Sequence, residues 1–104
     1  MLINSVLLLA GTVSLRAADP SEIYDHHCAM CHGKDGAGNT RMGQKFGAKN
    51  WTDAKVQDGL KDTDIIKAIK EGVTDGDQTK MKAFSDLSDD EVKGLVAYVR
   101  GFKK

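Results

Sequence analysis

Apolar residues are distributed along this chain in two different ways. From Leu2 to Leu15 they form a nearly continuous run with Leu7, Leu8 and Leu9 at its centre and no acidic residue. Beyond it they recur three and four apart, the spacing that gathers side chains on one face of an α-helix. The first such segment opens at Asp19-Pro20-Ser21-Glu22: Asp19 suits an N-cap, Pro20 a position whose N–H needs no partner, and Glu22 the far end of a capping box. This helix is expected to run through Ile23, Tyr24 and His27 into Cys28, with Tyr24 on the face that carries the cysteine. Gly33, Gly36, Gly38, Gly43 and Gly47 then crowd residues 33–50, a density that predicts a loop wrapped around a rigid object rather than a regular helix.

A short helix over 53–57 follows, capped by Asn50 or Thr52 and ended by Gly59. A clearer one is capped by Asp62 or Thr63, presents Ile65, Ile66, Ala68 and Ile69 on one side, and stops at Gly72. Asp75-Gly76-Asp77 marks a turn in the polar stretch before Met81. The last helix carries the strongest pattern. Ser88 and Glu91 make a capping box, Asp89 and Asp90 suit the positive end of the helix dipole, and Val92, Leu95, Val96, Val99 and Phe102 form one stripe bordered by Tyr98. Gly94 interrupts it at a cost of about 1 kcal/mol relative to Ala, which close contact with another helix would explain.

The opening apolar run is shorter than the roughly eighteen residues of a membrane span, and Leu15-Arg16-Ala17 ends it with a small residue suited to cleavage. Residues 1–18 are therefore read as a secretion signal, cut after Ala17 or Ala18, and residues 19–104 as one domain. An uncleaved anchor competes with this reading, because no Lys or Arg precedes the run. A mature domain of about 86 residues is near the size at which a side-chain core alone gives marginal stability. Something must supplement that core.

Cys28-Ala29-Met30-Cys31-His32 supplies the supplement, since two thiols and an imidazole at this spacing attach haem c covalently. Residues three apart lie on one helical face, so Cys28 and Cys31 can reach the two vinyl groups of one porphyrin. His32 then sits beneath the iron as proximal ligand and leaves the opposite position to be filled from elsewhere in the chain. Three other chemistries compete. A thioredoxin-like dithiol wants a strand–helix–strand context, which no alternating segment before Cys28 provides. Zinc held by Cys28, Cys31, His32 and His26 or His27 would lack the usual distant second ligand pair. A Cys28–Cys31 disulfide would close too small a loop to stabilise much. His26 and His27, read as one exposed and one partly buried, share a helix with Cys28 and lack the reach to cross the porphyrin.

Fifteen basic residues balance fifteen acidic ones, and loss of Arg16 with the leader leaves fourteen against fifteen. Lys and Asp are interleaved throughout, so the concentrated basic excess of a nucleic-acid binder is missing.

The haem motif near the start of the mature chain, a later Met in Met81-Lys82-Ala83-Phe84, and the closing Leu95-Val96-Ala97-Tyr98-Val99 together resemble the small class I cytochromes c. The resemblance spans nearly all of residues 19–104 and implies an all-α fold: helices wrapped around one covalently attached haem, with crossing N- and C-terminal helices. By position it implies Cys28 and Cys31 as thioether residues, His32 as proximal and Met81 as distal ligand, and Trp51 near a donor to a haem propionate. It implies a periplasmic, monomeric one-electron carrier that shuttles between respiratory redox proteins and has neither small-molecule substrate nor enzymatic activity. Three positions depart from the family. Lys82 stands where Pro usually follows the Met, Pro20 where a small residue marks the helix crossing, and no Pro follows the haem motif, so a carbonyl of the Gly-rich stretch must face His32.

Met42 is the rival distal ligand, since a thioether on a Gly-rich loop could swing inward. Lys45, Lys80 and Lys82 could frame the haem edge towards acidic partners. Two other functions remain to be separated from electron carriage. One is a gas-binding or sensory haem protein with a labile distal ligand. The other is a peroxidase-like enzyme, for which the distal acid–base residues are not apparent near Met81.

Overall fold

The computed structural model describes residues 18–104; residues 1–17, nearly all of the expected leader, lie outside them. The described residues form α1 (Pro20–His27), α2 (Ala29–His32), α3 (Arg41–Phe46), α4 (Ala54–Asp58), α5 (Asp62–Glu71), a hairpin of β1 (Val73–Asp75) and β2 (Gln78–Met81), and α6 (Asp89–Arg100).

The apolar stripe of α6 organises the rest. Ser88 Oγ accepts from the Glu91 N–H at 3.1 Å and Glu91 Oε1 from the Ser88 N–H at 3.0 Å, so the predicted capping box forms. Val92, Leu95, Val96 and Val99 are buried, together with Ile23 and Tyr24 of α1, Ile65 and Ile69 of α5, and Phe84. Phe102 joins this core from beyond the helix end. Full burial of such side chains contributes about 1.5–3 kcal/mol each. Where α1 meets α6, Gly94 is the accommodation: a Cβ there would stand 2.7 Å from Pro20 Cγ. The bulk of Pro20 at the helix contact is thus matched by the missing side chain opposite.

Asp19 caps α1 as expected, accepting from the Ser21 N–H at 2.9 Å. The return bond expected of Glu22 is replaced by a tie to α6, in which the Ala18 N–H donates to Glu91 Oε2 at 3.2 Å. The single helix expected through the cysteines is divided at Cys28, whose φ of −114° departs from the ideal helical value while its ψ of −34° stays in the right-handed region.

Other sequence expectations need correction. The Gly-rich stretch contains α3, capped by Thr40 Oγ1 accepting from the Gly43 N–H at 2.9 Å. Gly43 lies inside that helix because its missing side chain lets the backbone press against the Cys31 carbonyl. Asp53, not Asn50 or Thr52, caps α4; Asn50 Oδ1 instead accepts from Thr52 in its own turn. Lys61 precedes α5, and Asp64 accepts from the Lys61 N–H at 3.1 Å. The polar stretch before Met81 is a β-hairpin, pairing Val73 with Met81, Thr74 with Thr79 and Asp75 with Gln78 across a bulge. A fold expected to be all-α therefore carries one small sheet, and Met81 is the last residue of its second strand.

Candidate functional site

A cleft of about 580 Å³ opens between α1–α2 on one side and α5, the hairpin and α6 on the other. The volume lies within the range of about 300–1,000 Å³ typical of ligand pockets. Tyr24, Cys28, Cys31 and His32 line one part of it, Phe46, Lys49 and Trp51 a second, Ile65, Ala68 and Ile69 a third. Lys80, Met81, Lys82 and Phe84 come from β2 and its continuation, and Leu95 and Val99 from α6. All six expected site residues, Cys28, Cys31, His32, Met81, Tyr24 and Trp51, therefore face one space. Met42 is not among its lining residues and sits on α3, 36% exposed.

Cys28 and Cys31 are not joined to each other in a disulfide. Burial, and then the neighbouring Cys31, push the Cys28 thiol up to about 11. A redox dithiol or a zinc ligand needs the thiolate, so this environment opposes both. Among the described residues no group of three or more His, Cys, Asp or Glu gathers as a metal set.

Burial pushes the His32 imidazole down to about 4, opposed only by the backbone of Lys49. The ring is thus neutral at pH 7, with a lone pair free for a metal. The carbonyl expected from the Gly-rich stretch is supplied at Lys49, although Nδ1 gains no well-formed hydrogen bond from it. The Trp51 indole lies flat against this imidazole, ring centroids 3.8 Å apart and planes 11° from parallel. Trp51 Nε1 is also buried without a partner. An unpaired buried donor costs about 1–3 kcal/mol, so an indole N–H lining a cleft in this state suits a ligand that brings its own acceptor.

Tyr24 is fully buried, and its hydroxyl donates to the Gly33 carbonyl at 2.6 Å. Burial holds its phenol well above the ordinary value. Its ring packs on Tyr98 and Phe102 at 5.0 and 5.1 Å, so an aromatic group stiffens the wall behind the cysteines. His26 and His27 both remain exposed at the edge of the cleft, and His27 lies 5.4 Å from the Phe84 ring. Lys80 and Lys82 border the opening as expected, whereas Lys45 stands one step back, over the Phe46 ring at 5.3 Å. Lys49, Phe84 and the buried Gln57 were not singled out from the sequence; a polar residue beside an apolar helix face was the only available sign of Gln57.

Two thiols and an imidazole on one wall, a thioether on another segment, and apolar walls between them make a donor set suited to a flat, metal-bearing macrocycle. No helix among the described residues is long and apolar enough to cross a membrane.

A family model described as "Cytochrome C oxidase, cbb3-type, subunit III" matches residues 15–99. The solved structure of the KustC0563 c-type cytochrome is 41% identical, with a TM-score of 0.74, covering 84% of this chain and 100% of its own. A mutant of the same protein is 39% identical, with a TM-score of 0.72, covering 83% of this chain and 100% of its own. No curated protein matches.

Proposed function

Because the chain belongs to this cbb3-type family of c-type cytochromes, and so carries a covalently bound haem c, we infer that it is a one-electron carrier with His32 and Met81 as its axial pair. The observation that supports this most is the convergence of Cys28, Cys31, His32 and Met81 on one apolar cleft that leaves Met42 out. In this reading Cys28 and Cys31 form the two thioether links, and His32 offers a neutral imidazole from the same wall. Haem iron supplies a one-electron change of valence when bound. Met81 sulfur, a soft donor, would hold the iron from the other segment and would favour its ferrous state over what a second imidazole gives. The apolar walls act in the same direction by disfavouring added positive charge. With His32 and Met81 both holding the group, a substrate would find no open site on it, which favours a carrier over an enzyme.

Members of this family generally carry electrons and are generally exported. We extend this to residence in the periplasm, with residues 1–18 as the leader, and to larger redox proteins as donor and acceptor. Lys49, Lys80 and Lys82 at the mouth of the cleft suit acidic partners. The axial pair is tested by the ferric absorption spectrum. The weak deep-red sulfur-to-iron band is expected in the wild type, lost in Met81→Ala and kept in Met42→Ala; the reverse pattern would exchange the two methionines.

A further inference from the structure

Gln57 and Trp51 make a chain of contacts that ends on His32. The Gln57 side chain, 3% exposed, has every polar atom engaged. Its Nε2 donates to the Trp51 carbonyl at 2.7 Å and the Val99 carbonyl at 2.9 Å, and its Oε1 accepts from Arg100 Nη1 at 3.0 Å. Two carbonyls and a guanidinium leave only one way for the amide to point. The Trp51 N–H donates to the Gly36 carbonyl at 2.8 Å, so the Trp51 backbone is held on both sides. From that fixed backbone the indole reaches over the imidazole, 3.8 Å away and nearly parallel.

An imidazole bound to a metal through one nitrogen keeps one soft motion, rotation about the metal–nitrogen axis, and its remaining contacts decide where that rotation rests. A hydrogen bond from Nδ1 usually does this, but Nδ1 of His32 has no well-formed partner. Beside the loosely placed Lys49 carbonyl, the flat indole is the close contact on the ring. On the reading that His32 is the iron ligand, we propose that Gln57 is a positioning residue for it: Gln57 clamps Trp51, and the Trp51 indole sets the rotational orientation of the His32 ring. If Gln57 served only to tie α4 to α6, its bonds to Val99 and Arg100 would be enough; the bond to Trp51 carries its influence into the cleft.

The test compares the ferric holoprotein with its Gln57→Leu, Trp51→Leu and double variants. The hyperfine-shifted haem methyl resonances and the ferric g values respond to the orientation of an axial ring, and melting is followed alongside. Gln57→Leu is expected to change the spread of the methyl resonances and Trp51→Leu to change it in the same sense and further. The double variant should add nothing beyond Trp51→Leu, because Gln57 acts through the indole. Gln57→Glu keeps the shape and the Arg100 contact while removing both donors, and carries the same expectation if Gln57→Leu does not fold. A Gln57 variant that melts lower with unmoved methyl resonances, or effects that simply add, would overturn the proposal and leave His32 ligation standing. A wild-type spectrum without imidazole ligation would end both.

Discussion

The Tyr24 hydroxyl gives its only proton to the Gly33 carbonyl, immediately after the haem motif, and both residues are buried. Tyr24→Phe keeps the ring among Tyr98, Phe102 and Trp51 but leaves that carbonyl with the Gly36 N–H, at 3.1 Å, as its remaining donor. The expected cost is about 0.5–1.5 kcal/mol, read as a lower denaturant midpoint of the holoprotein. A midpoint equal to wild type would mean that water replaces the hydroxyl there. At this scale the legible features were local ones. The haem motif is five consecutive residues, so its spacing alone carried Cys28, Cys31 and His32. Gln57 stayed hidden because two of its partners, Val99 and Arg100, stand 42 and 43 residues away. Trp51 was anticipated as a donor at the cleft, but its stack on His32 depends on how two separate segments meet.

Helix α6 holds its place through Gly94 as much as through its apolar stripe. Gly94→Ala would gain about 1 kcal/mol of helix propensity in isolation. Here the new Cβ meets the stiff Pro20 ring at 2.7 Å, so a net loss of stability is expected. Thermal melts of Gly94→Ala alone and together with Pro20→Ala check this, the second substitution recovering much of what the first loses. Glu91 gives the same contact a pH dependence. The Ser88 N–H first and the Ala18 N–H second hold its carboxyl below the ordinary 4.5. A lowered folded value means the unfolded chain takes up the proton more readily, so this contribution is complete above pH 4.5 and fades as pH falls through the folded value. Glu91→Gln should therefore flatten the decline of Tm on acidification, and an unchanged decline would assign it to other carboxylates. The pattern of α6 was readable because period, capping box and end charges agree over a dozen residues. The six residues of α3 contain Gly43 within a glycine-dense stretch, and the three-residue β1 is exposed throughout, so neither offers enough periodicity to compete with its turn residues.

For the molecule as a whole, the core residues surround the cleft rather than fill a centre, with Tyr24, Ile65, Ile69, Phe84, Leu95 and Val99 serving both. The folded chain without its macrocycle would thus leave apolar walls facing water. Two ion pairs on exposed surface, Lys70–Asp89 at 2.7 Å and Lys103–Asp58 at 3.4 Å, do little to offset that, since such pairs contribute about 0–1 kcal/mol. The Cys28→Ala, Cys31→Ala double variant, free of haem, is expected to be largely unfolded, with a weak helical circular dichroism signal and no cooperative melt. A native-like signal and a sharp transition would show that side chains alone hold the fold. The helical architecture and the cofactor were legible at this scale because both follow from a motif and a periodicity; the hairpin that carries Met81 was not, since the turn at Gly76 was visible without the short strands beside it.

The central claim is that the chain fills both axial positions of its haem and so moves electrons without handling substrate. Exposure of the reduced, unmodified holoprotein to carbon monoxide, followed by absorption spectroscopy, tests this most directly. A reduced spectrum that carbon monoxide leaves unchanged is expected, whereas rapid formation of a carbonyl adduct would contradict the account and favour a gas-binding protein.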